Sequence, residues 1–193
     1  MHILEDAPGG GKRTRTRRKL IDAAAQVIGE KGYERASLEE IAQRAGMTRG
    51  AIYGNFKNKE ELFLELVASR WKPIVPPLDS TAGFREHMRA LGRAVAAEAR
   101  AREAYAAAAT SFQLYVLTHK AMQAQLTKQN AIVYRKMAEE VIKHIPEKSL
   151  PMPAPQFVRV LDALISGLLF TYFQTPSLIG EEVFVSAFEA FAR

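Results

Sequence analysis

Apolar residues recur at intervals of three and four along most of this chain, and no segment shows the strict alternation that is typical of a half-buried strand. Such spacing puts apolar side chains on one face of a helix in segment after segment. Glycine or proline ends most of these segments. With 48% hydrophobic residues in 193, the chain has enough apolar surface to bury a core. It is therefore predicted to be all-α, with about nine helices.

Composition excludes several classes of protein. The chain has no cysteine, so disulfide scaffolds, thiolate metal sites and cysteine nucleophiles are ruled out. The apolar pair Ile3-Leu4 is too short for a signal peptide. The most apolar run, 161–173, contains Asp162 and is shorter than the roughly 20 residues that cross a bilayer, so it is interpreted as a buried helix. We expect a cytoplasmic protein with no membrane partner.

Basic residues are concentrated at the start of the chain. The formal net charge is +6, and residues 1–20 hold six lysines and arginines against two acidic residues. Residues 1–13, which include three consecutive glycines, are predicted to be a flexible basic arm. Arg15 and Arg17, with Arg13 and Arg18, would then follow a DNA minor groove or backbone. The alternative is a solubilising tail.

Two short helices separated by a tight turn follow the first helix. Ser37-Leu38-Glu39-Glu40 has the pattern of a capping box, and the helix that it begins ends at Gly46. Thr48 can cap a second short helix, which buries Ile52 and Phe56. This order of helix, turn and helix is that of a helix-turn-helix, whose second helix enters the DNA major groove.

The outer face predicted for the second short helix carries groups suited to DNA. Arg49 can reach guanine or a phosphate, and Tyr53 and Asn55 can donate to phosphate oxygens. Gly50 and Gly54 each weaken a helix by about 1 kcal/mol relative to alanine, which a close approach of the backbone to another surface would offset. The alternative is an ordinary solvated face.

The segment from Ala24 to Leu62 resembles the DNA-binding domain of tetracycline-repressor (TetR) family transcriptional regulators. The resemblance is carried above all by SLEEIA at 37–42 and by AGMTRGAIYGNFKNKEEL at 45–62. It implies a helix-turn-helix DNA-binding domain over 14–71. It also implies that a larger helical ligand-binding and dimerisation domain follows over 72–193.

The resemblance assigns roles to individual positions. Base contacts would fall on Arg49, Gly50 and Ala51. Asn55 stands where the family often has histidine, so its phosphate contact is expected to be weaker. Phosphate binds favourably at the amino end of a helix, which carries a partial positive charge, and beside the charge of a lysine. The implied phosphate contacts are Ser37, Thr48, Tyr53, Asn55 and Lys59.

The last two predicted helices, 157–174 and 181–192, are too apolar to lie in water singly. Pairing them with their copies in a second chain would bury them in a four-helix bundle, and the resemblance also implies a homodimer. A two-fold dimer reads two half-sites, so the predicted partner is double-stranded DNA with a palindromic operator. The alternative is that both helices pack inside a monomer.

The resemblance further implies a small-molecule effector in the second domain, with plain core packing as the alternative for each candidate residue. Few charged residues fall on the inward faces, so the expected effector is apolar or aromatic. Its binding would release a repressor from DNA through the segment at Trp71 and Pro73. The candidate lining residues are Trp71, Phe84, Tyr105, Phe112, Tyr115, His119, Tyr134, Met137 and Phe170.

Nothing in the sequence favours an enzyme. The four histidines are scattered, and no catalytic group has a visible partner. A carboxylate metal site is suggested by Glu98 with Glu103 or by Glu139 with Glu140, but these pairs are more simply solvated helix faces. We therefore expect no catalytic residue, metal or cofactor. The remaining alternative is a helical dimer that does not bind specific DNA.

Overall fold

The computed structural model describes residues 10–70, 74, 76 and 81–192. These residues contain nine α-helices and no strand, and the all-α prediction is confirmed. The helices are α1 (Gly10–Lys31), α2 (Leu38–Arg44), α3 (Arg49–Tyr53), α4 (Lys59–Arg70), α5 (Phe84–Arg102), α6 (Ala106–Thr118), α7 (Lys120–His144), α8 (Ala154–Gln174) and α9 (Glu181–Glu189).

The helices form two compact units. The first unit contains α1, α2, α3, α4 and α6, and the second contains α5, α7, α8 and α9. The second unit therefore differs from the predicted domain 72–193, because residues 105–118 belong to the first unit. The helix α5 ends at Arg102, and a 3-10 turn separates it from α6.

Aromatic packing explains why α6 belongs to the first unit. The Phe112 ring stacks on Phe63 of α4 at 4.0 Å and meets Tyr33 edge-on at 5.8 Å, measured between ring centroids. The backbone N–H of Tyr33 donates to Ser111 Oγ at 2.5 Å. Buried aromatic rings are among the largest apolar contributions to a core. Phe112, a candidate for the ligand cavity, is thus a core residue of the first unit.

The predicted flexible arm lies only partly within the described residues. Residues 1–9 are outside them, and residues 10–13 form the first turn of α1. The structure differs from the prediction at 10–13. Lysine and arginine are good helix formers, so the basic cluster continues the helix toward the amino end.

In the second unit, α9 runs antiparallel along α5. Arg89 pairs with Glu189 at 2.6 Å, and Arg100 lies 3.8 Å from Glu181. The later residue of α5 meets the earlier residue of α9, which sets the direction. Between these pairs the two helices bury an apolar core that contains Leu91, Val95, Phe184 and Phe188.

The helix α8 is buried on one side and exposed on the other. Phe157 and Leu161 lie in the core, whereas 42% of Phe170 is exposed. Among the described residues, α8 is also the one helix that is long and apolar enough to cross a membrane by those two criteria alone. Core helices of other proteins pass the same test. On its packed side, Asp162 accepts a hydrogen bond from Tyr134 of α7 at 2.7 Å.

Candidate nucleic-acid interface

The segment from α2 to α3 forms the tight turn that the sequence predicts. The Ser37 hydroxyl accepts from the backbone N–H of Glu40 at 3.2 Å and so caps α2. Gly46 then has a φ of 65°, a left-handed conformation that side chains disfavour. The Thr48 hydroxyl accepts from the N–H of Ala51 at 3.2 Å and caps α3. These local contacts hold the two short helices in the arrangement of a helix-turn-helix.

The inner and outer faces of α3 are well separated. Ile52 is fully buried and Phe56 almost so, which anchors α3 to the core of the first unit. On the other side Arg49, Gly50 and Tyr53 are exposed. The predicted base-reading position Arg49 is therefore open to a large ligand, with 74% of its side chain exposed. Ser37 and Thr48 are exposed beside it, and Ala51 is half-buried.

Glu39 lies against Arg49 and Tyr53 on this face, although the sequence pattern marks it only as part of a capping signature. Its Oε1 accepts from the Tyr53 hydroxyl at 2.8 Å and lies 3.3 Å from the Arg49 guanidinium. The hydrogen bond from Tyr53 holds the pKa of Glu39 below its usual value, and the charge of Arg49 acts in the same direction. No local sequence pattern joins residues that are 14 positions apart, so only the fold reveals this contact.

Asn55 is turned toward its own helix. Its side-chain N–H donates to the carbonyl of Ala51 at 2.7 Å, and its Oδ1 is buried. The amide has a second N–H donor, so this hydrogen bond and a phosphate contact are compatible. Asn55 closes the end of α3, and its phosphate contact stays a prediction.

Lys59 is likewise used inside the first unit. Its Nζ donates to three backbone carbonyls of the loop between α1 and α2, those of Tyr33, Glu34 and Ala36, at 2.8–3.1 Å. It also lies 4.5 Å from the centre of the Tyr33 ring. Burial lowers the pKa of Lys59. An ammonium group has three donors, so these contacts occupy all of them and differ from the predicted phosphate contact.

Arg17 and Arg15 have different surroundings on α1. Arg17 forms an ion pair with Glu65 of α4, donates to the carbonyl of Asn55 at 2.6 Å and lies 4.4 Å from the centre of the Phe56 ring. Arg17 therefore connects α1 to the end of α3 and to α4, which differs from the predicted DNA contact. Arg15 is exposed and keeps its guanidinium available.

The candidate ligand residues are distributed over both units. In the first unit, Phe112 lies in the aromatic core, Tyr105 is half-buried, and Tyr115 donates to Glu60 at 2.7 Å. Trp71 lies outside the described residues. In the second unit Phe84 packs on the core beside Phe157, His119 precedes α7, and Phe170 is exposed. Tyr134 and Met137 pack together on one small cluster between α7 and α8.

Comparison with known proteins finds similarity over part of the first unit. Residues 20–66 match the family described as bacterial regulatory proteins, tetR family. The HTH-type transcriptional regulator SrpR of Pseudomonas putida is 44% identical over 59 residues, which are 31% of this chain and 28% of SrpR. The HTH-type transcriptional repressor AcnR of Corynebacterium glutamicum is 35% identical over 85 residues, 42% of this chain and 43% of AcnR. The chain thus matches less than half the length of these two relatives.

The fold of the whole chain is also similar to solved structures. A putative transcriptional regulator from Pseudomonas aeruginosa PAO1 aligns with a TM-score of 0.71, covering 91% of this chain and 88% of that one, at 21% identity. This likeness extends beyond the segment that the curated relatives share. It therefore describes the second unit as well as the first, at the level of fold.

Proposed function

From the premise that this chain belongs to the TetR family of bacterial regulatory proteins, we propose that it is a sequence-specific DNA-binding transcriptional regulator. The observation that carries the proposal is the outer face of α3, where Arg49, Gly50 and Tyr53 are exposed on a helix anchored by Ile52. Such a helix fits the major groove, with Arg49 directed to base edges and Ser37 and the amino end of α3 directed to phosphates. A regulator works beside the chromosome, so we expect a cytoplasmic protein without a membrane partner or a catalytic role.

A homodimer is part of the proposal. The exposed side of α8 is a continuous stripe at helical spacing, and its small residues would let a second helix approach closely. Pairing with the same stripe of a second copy would cover Phe170. The dimer would then present two copies of α3 to a palindromic operator, with half-sites about 34–36 Å apart or a multiple of this. The stripe consists of Ala163, Ser166, Gly167, Phe170 and Gln174.

An apolar or aromatic effector is also proposed, bound in the second unit near Tyr134 and Met137. Its support is chemical, because the half-buried hydroxyl–carboxylate pair of Tyr134 and Asp162 borders the apolar side chains of Val141 and Leu150. An effector that binds better to a conformation unable to hold DNA would act as an inducer, and the protein as a repressor. Tyr134→Phe should then reduce the increase in the protein's melting temperature that the effector causes, while leaving DNA affinity unchanged.

Selection of duplexes from a random-sequence library tests the DNA-binding proposal. Fluorescence anisotropy then compares the enriched duplex with a scrambled version of it at low and near-physiological salt. We expect that only binding to the enriched duplex persists at the higher salt concentration. Arg49→Ala should weaken binding to it about tenfold or more, and the matched control Arg93→Ala, an exposed arginine of the second unit, should not. Equal binding to both duplexes would favour a helical protein without specific DNA recognition.

A further inference from the structure

We infer that Glu39 is a specificity-determining residue, which holds Arg49 for base contacts and opposes contacts that involve phosphate alone. This inference rests on the proposed DNA-binding function. It concerns a residue of α2 that the sequence pattern marks only as part of a capping signature.

Glu39, Arg49 and Tyr53 form a closed set of three contacts on the outer surface. The carboxylate of Glu39 accepts from the Tyr53 hydroxyl at 2.8 Å and pairs with the Arg49 guanidinium at 3.3 Å. The guanidinium carbon of Arg49 lies 5.5 Å from the centre of the Tyr53 ring. Arg49 is thus held from one side by a charge and from another by an aromatic ring, while 74% of its side chain remains exposed.

The two partners of Glu39 differ in the number of hydrogen-bond donors that remain for DNA. A guanidinium has five N–H donors in a planar fork, so Arg49 can keep its contact with Glu39 and still donate to guanine O6 and N7. Tyr53 has a single O–H donor, which is already used in the hydrogen bond to Glu39. A phosphate contact through this proton requires Tyr53 to leave Glu39. Base contact by Arg49 is therefore compatible with the observed arrangement, and phosphate donation by Tyr53 competes with it.

The charge of Glu39 also acts on every duplex. A carboxylate on the DNA-facing surface repels phosphates and lowers all affinities alike, so the sequence discrimination comes from the orientation of Arg49. At the correct sequence, the oriented Arg49 fork gains its contact with guanine and offsets the repulsion. At an incorrect sequence Arg49 has no such acceptor, and only the repulsion remains. Exposed ion pairs are weak, so the arrangement biases binding without blocking it.

Glu40 provides a matched control. It is the next residue of the same helix and carries the same charge, but its carboxylate pairs with Lys31 at the end of α1. Glu39→Gln and Glu40→Gln therefore remove the same charge from neighbouring positions. Only the first changes a contact with α3.

The experiment compares wild type, Glu39→Gln and Glu40→Gln on the enriched and scrambled duplexes, by fluorescence anisotropy over a series of salt concentrations. For Glu39→Gln we expect affinity for the scrambled duplex to rise about threefold to fivefold and affinity for the enriched duplex to change less than about twofold. The discrimination ratio, which is the affinity for the enriched duplex divided by the affinity for the scrambled duplex, then falls. Glu40→Gln should shift both affinities alike and keep the ratio. In an Arg49→Ala background, Glu39→Gln should also leave the ratio unchanged, because the oriented group is gone.

Three results would overturn the inference. If wild type discriminates and Glu39→Gln discriminates equally well, the role of Glu39 is wrong and the proposed function stands. The same follows if Glu40→Gln lowers the ratio as much as Glu39→Gln. If wild type itself binds both duplexes equally, the proposed function and the inference fail together. Circular dichroism melting of each variant tests whether the substitutions leave the fold intact.

Discussion

At the scale of single residues, Arg15 and Arg17 of α1 have different surroundings. Arg17 combines an ion pair, a backbone hydrogen bond and a ring contact that join three parts of the first unit. Arg15 is exposed. Under the proposed function, the exposed Arg15 acts on DNA through its charge, whereas the partly buried Arg17 acts through its contacts.

Substitution separates these tasks. Arg17→Ala should lower the free energy of unfolding by about 2 kcal/mol, since it leaves Glu65 and the Asn55 carbonyl without this donor. Arg15→Ala should change the free energy of unfolding by less than about 0.5 kcal/mol. It should also reduce the slope of the logarithm of DNA affinity against the logarithm of salt concentration by about one, since one fewer counterion is released. Urea unfolding followed by circular dichroism checks the first value, and anisotropy over a salt series checks the second. Equal stability of the two variants would contradict the structural role of Arg17.

At the scale of elements, the packing of α9 against α5 depends on one glycine. A Cβ on Gly92 would lie 2.7 Å from Val185 Cα and 3.1 Å from the Phe184 carbonyl oxygen. Both are backbone atoms, which cannot move aside as the end of a flexible side chain does. The close approach of the two helices therefore requires glycine here.

Gly92→Ala should destabilise the protein by about 1–3 kcal/mol, because α9 must shift away from α5. Gly29→Ala is the control, since the nearest atom to a Cβ at Gly29 lies at 4.0 Å and alanine is the better helix former. The control should be neutral or slightly stabilising. Thermal melting of both variants measures the difference, and a wild-type melting temperature for Gly92→Ala would show that α9 tolerates the shift.

The contact between α7 and α8 predicts how stability changes at high pH. Burial, together with the hydrogen bond to Asp162, raises the pKa of Tyr134 to about 12, from an ordinary value of 10.0. The folded state thus favours the neutral phenol, so this stabilisation is complete below pH 10 and is lost as the pH rises toward 12.

Tyr134→Phe should therefore reduce the loss of stability between pH 10 and 12. Urea midpoints at several alkaline pH values measure this effect. The variant removes only part of the dependence, because the hydrogen bond to Glu60 likewise raises the pKa of Tyr115 to about 12. An unchanged alkaline slope in Tyr134→Phe would mean that the Tyr134 phenol is not held neutral by α8.

At the scale of the whole molecule, the exposed side of α8 predicts the oligomeric state. Phe170→Glu places a charge in the proposed dimer interface, where its desolvation is costly, so we expect a monomer that no longer binds the enriched duplex tightly. Ile142→Glu is the control, since Ile142 of α7 is exposed to a similar extent, 46% against 42%. Light scattering after size-exclusion chromatography measures the mass. A dimeric Phe170→Glu, or a monomeric Ile142→Glu, would contradict the proposed interface.

Much of the first unit could be predicted from sequence because its signals are local. The caps at Ser37 and Thr48 and the end of the helix near Gly46 depend on residues a few positions apart. The structure has both caps, and a left-handed turn at Gly46 follows α2. The contacts of Lys59 and Glu39 could not be predicted in the same way. Their partners lie far along the chain, and sequence periodicity carries no information about which distant groups meet.

The sequence alone determined the all-α class, the helix-turn-helix and the exposure of Arg49, since helical spacing, caps and turn glycines act over a few residues. Only the tertiary structure decided that α6 joins the first unit, that Arg17 and Lys59 support the fold, and that Glu39 meets Arg49 and Tyr53. The physical reason is that packing and charge pairing join residues brought together by folding. Such pairs form only where the whole chain places their partners.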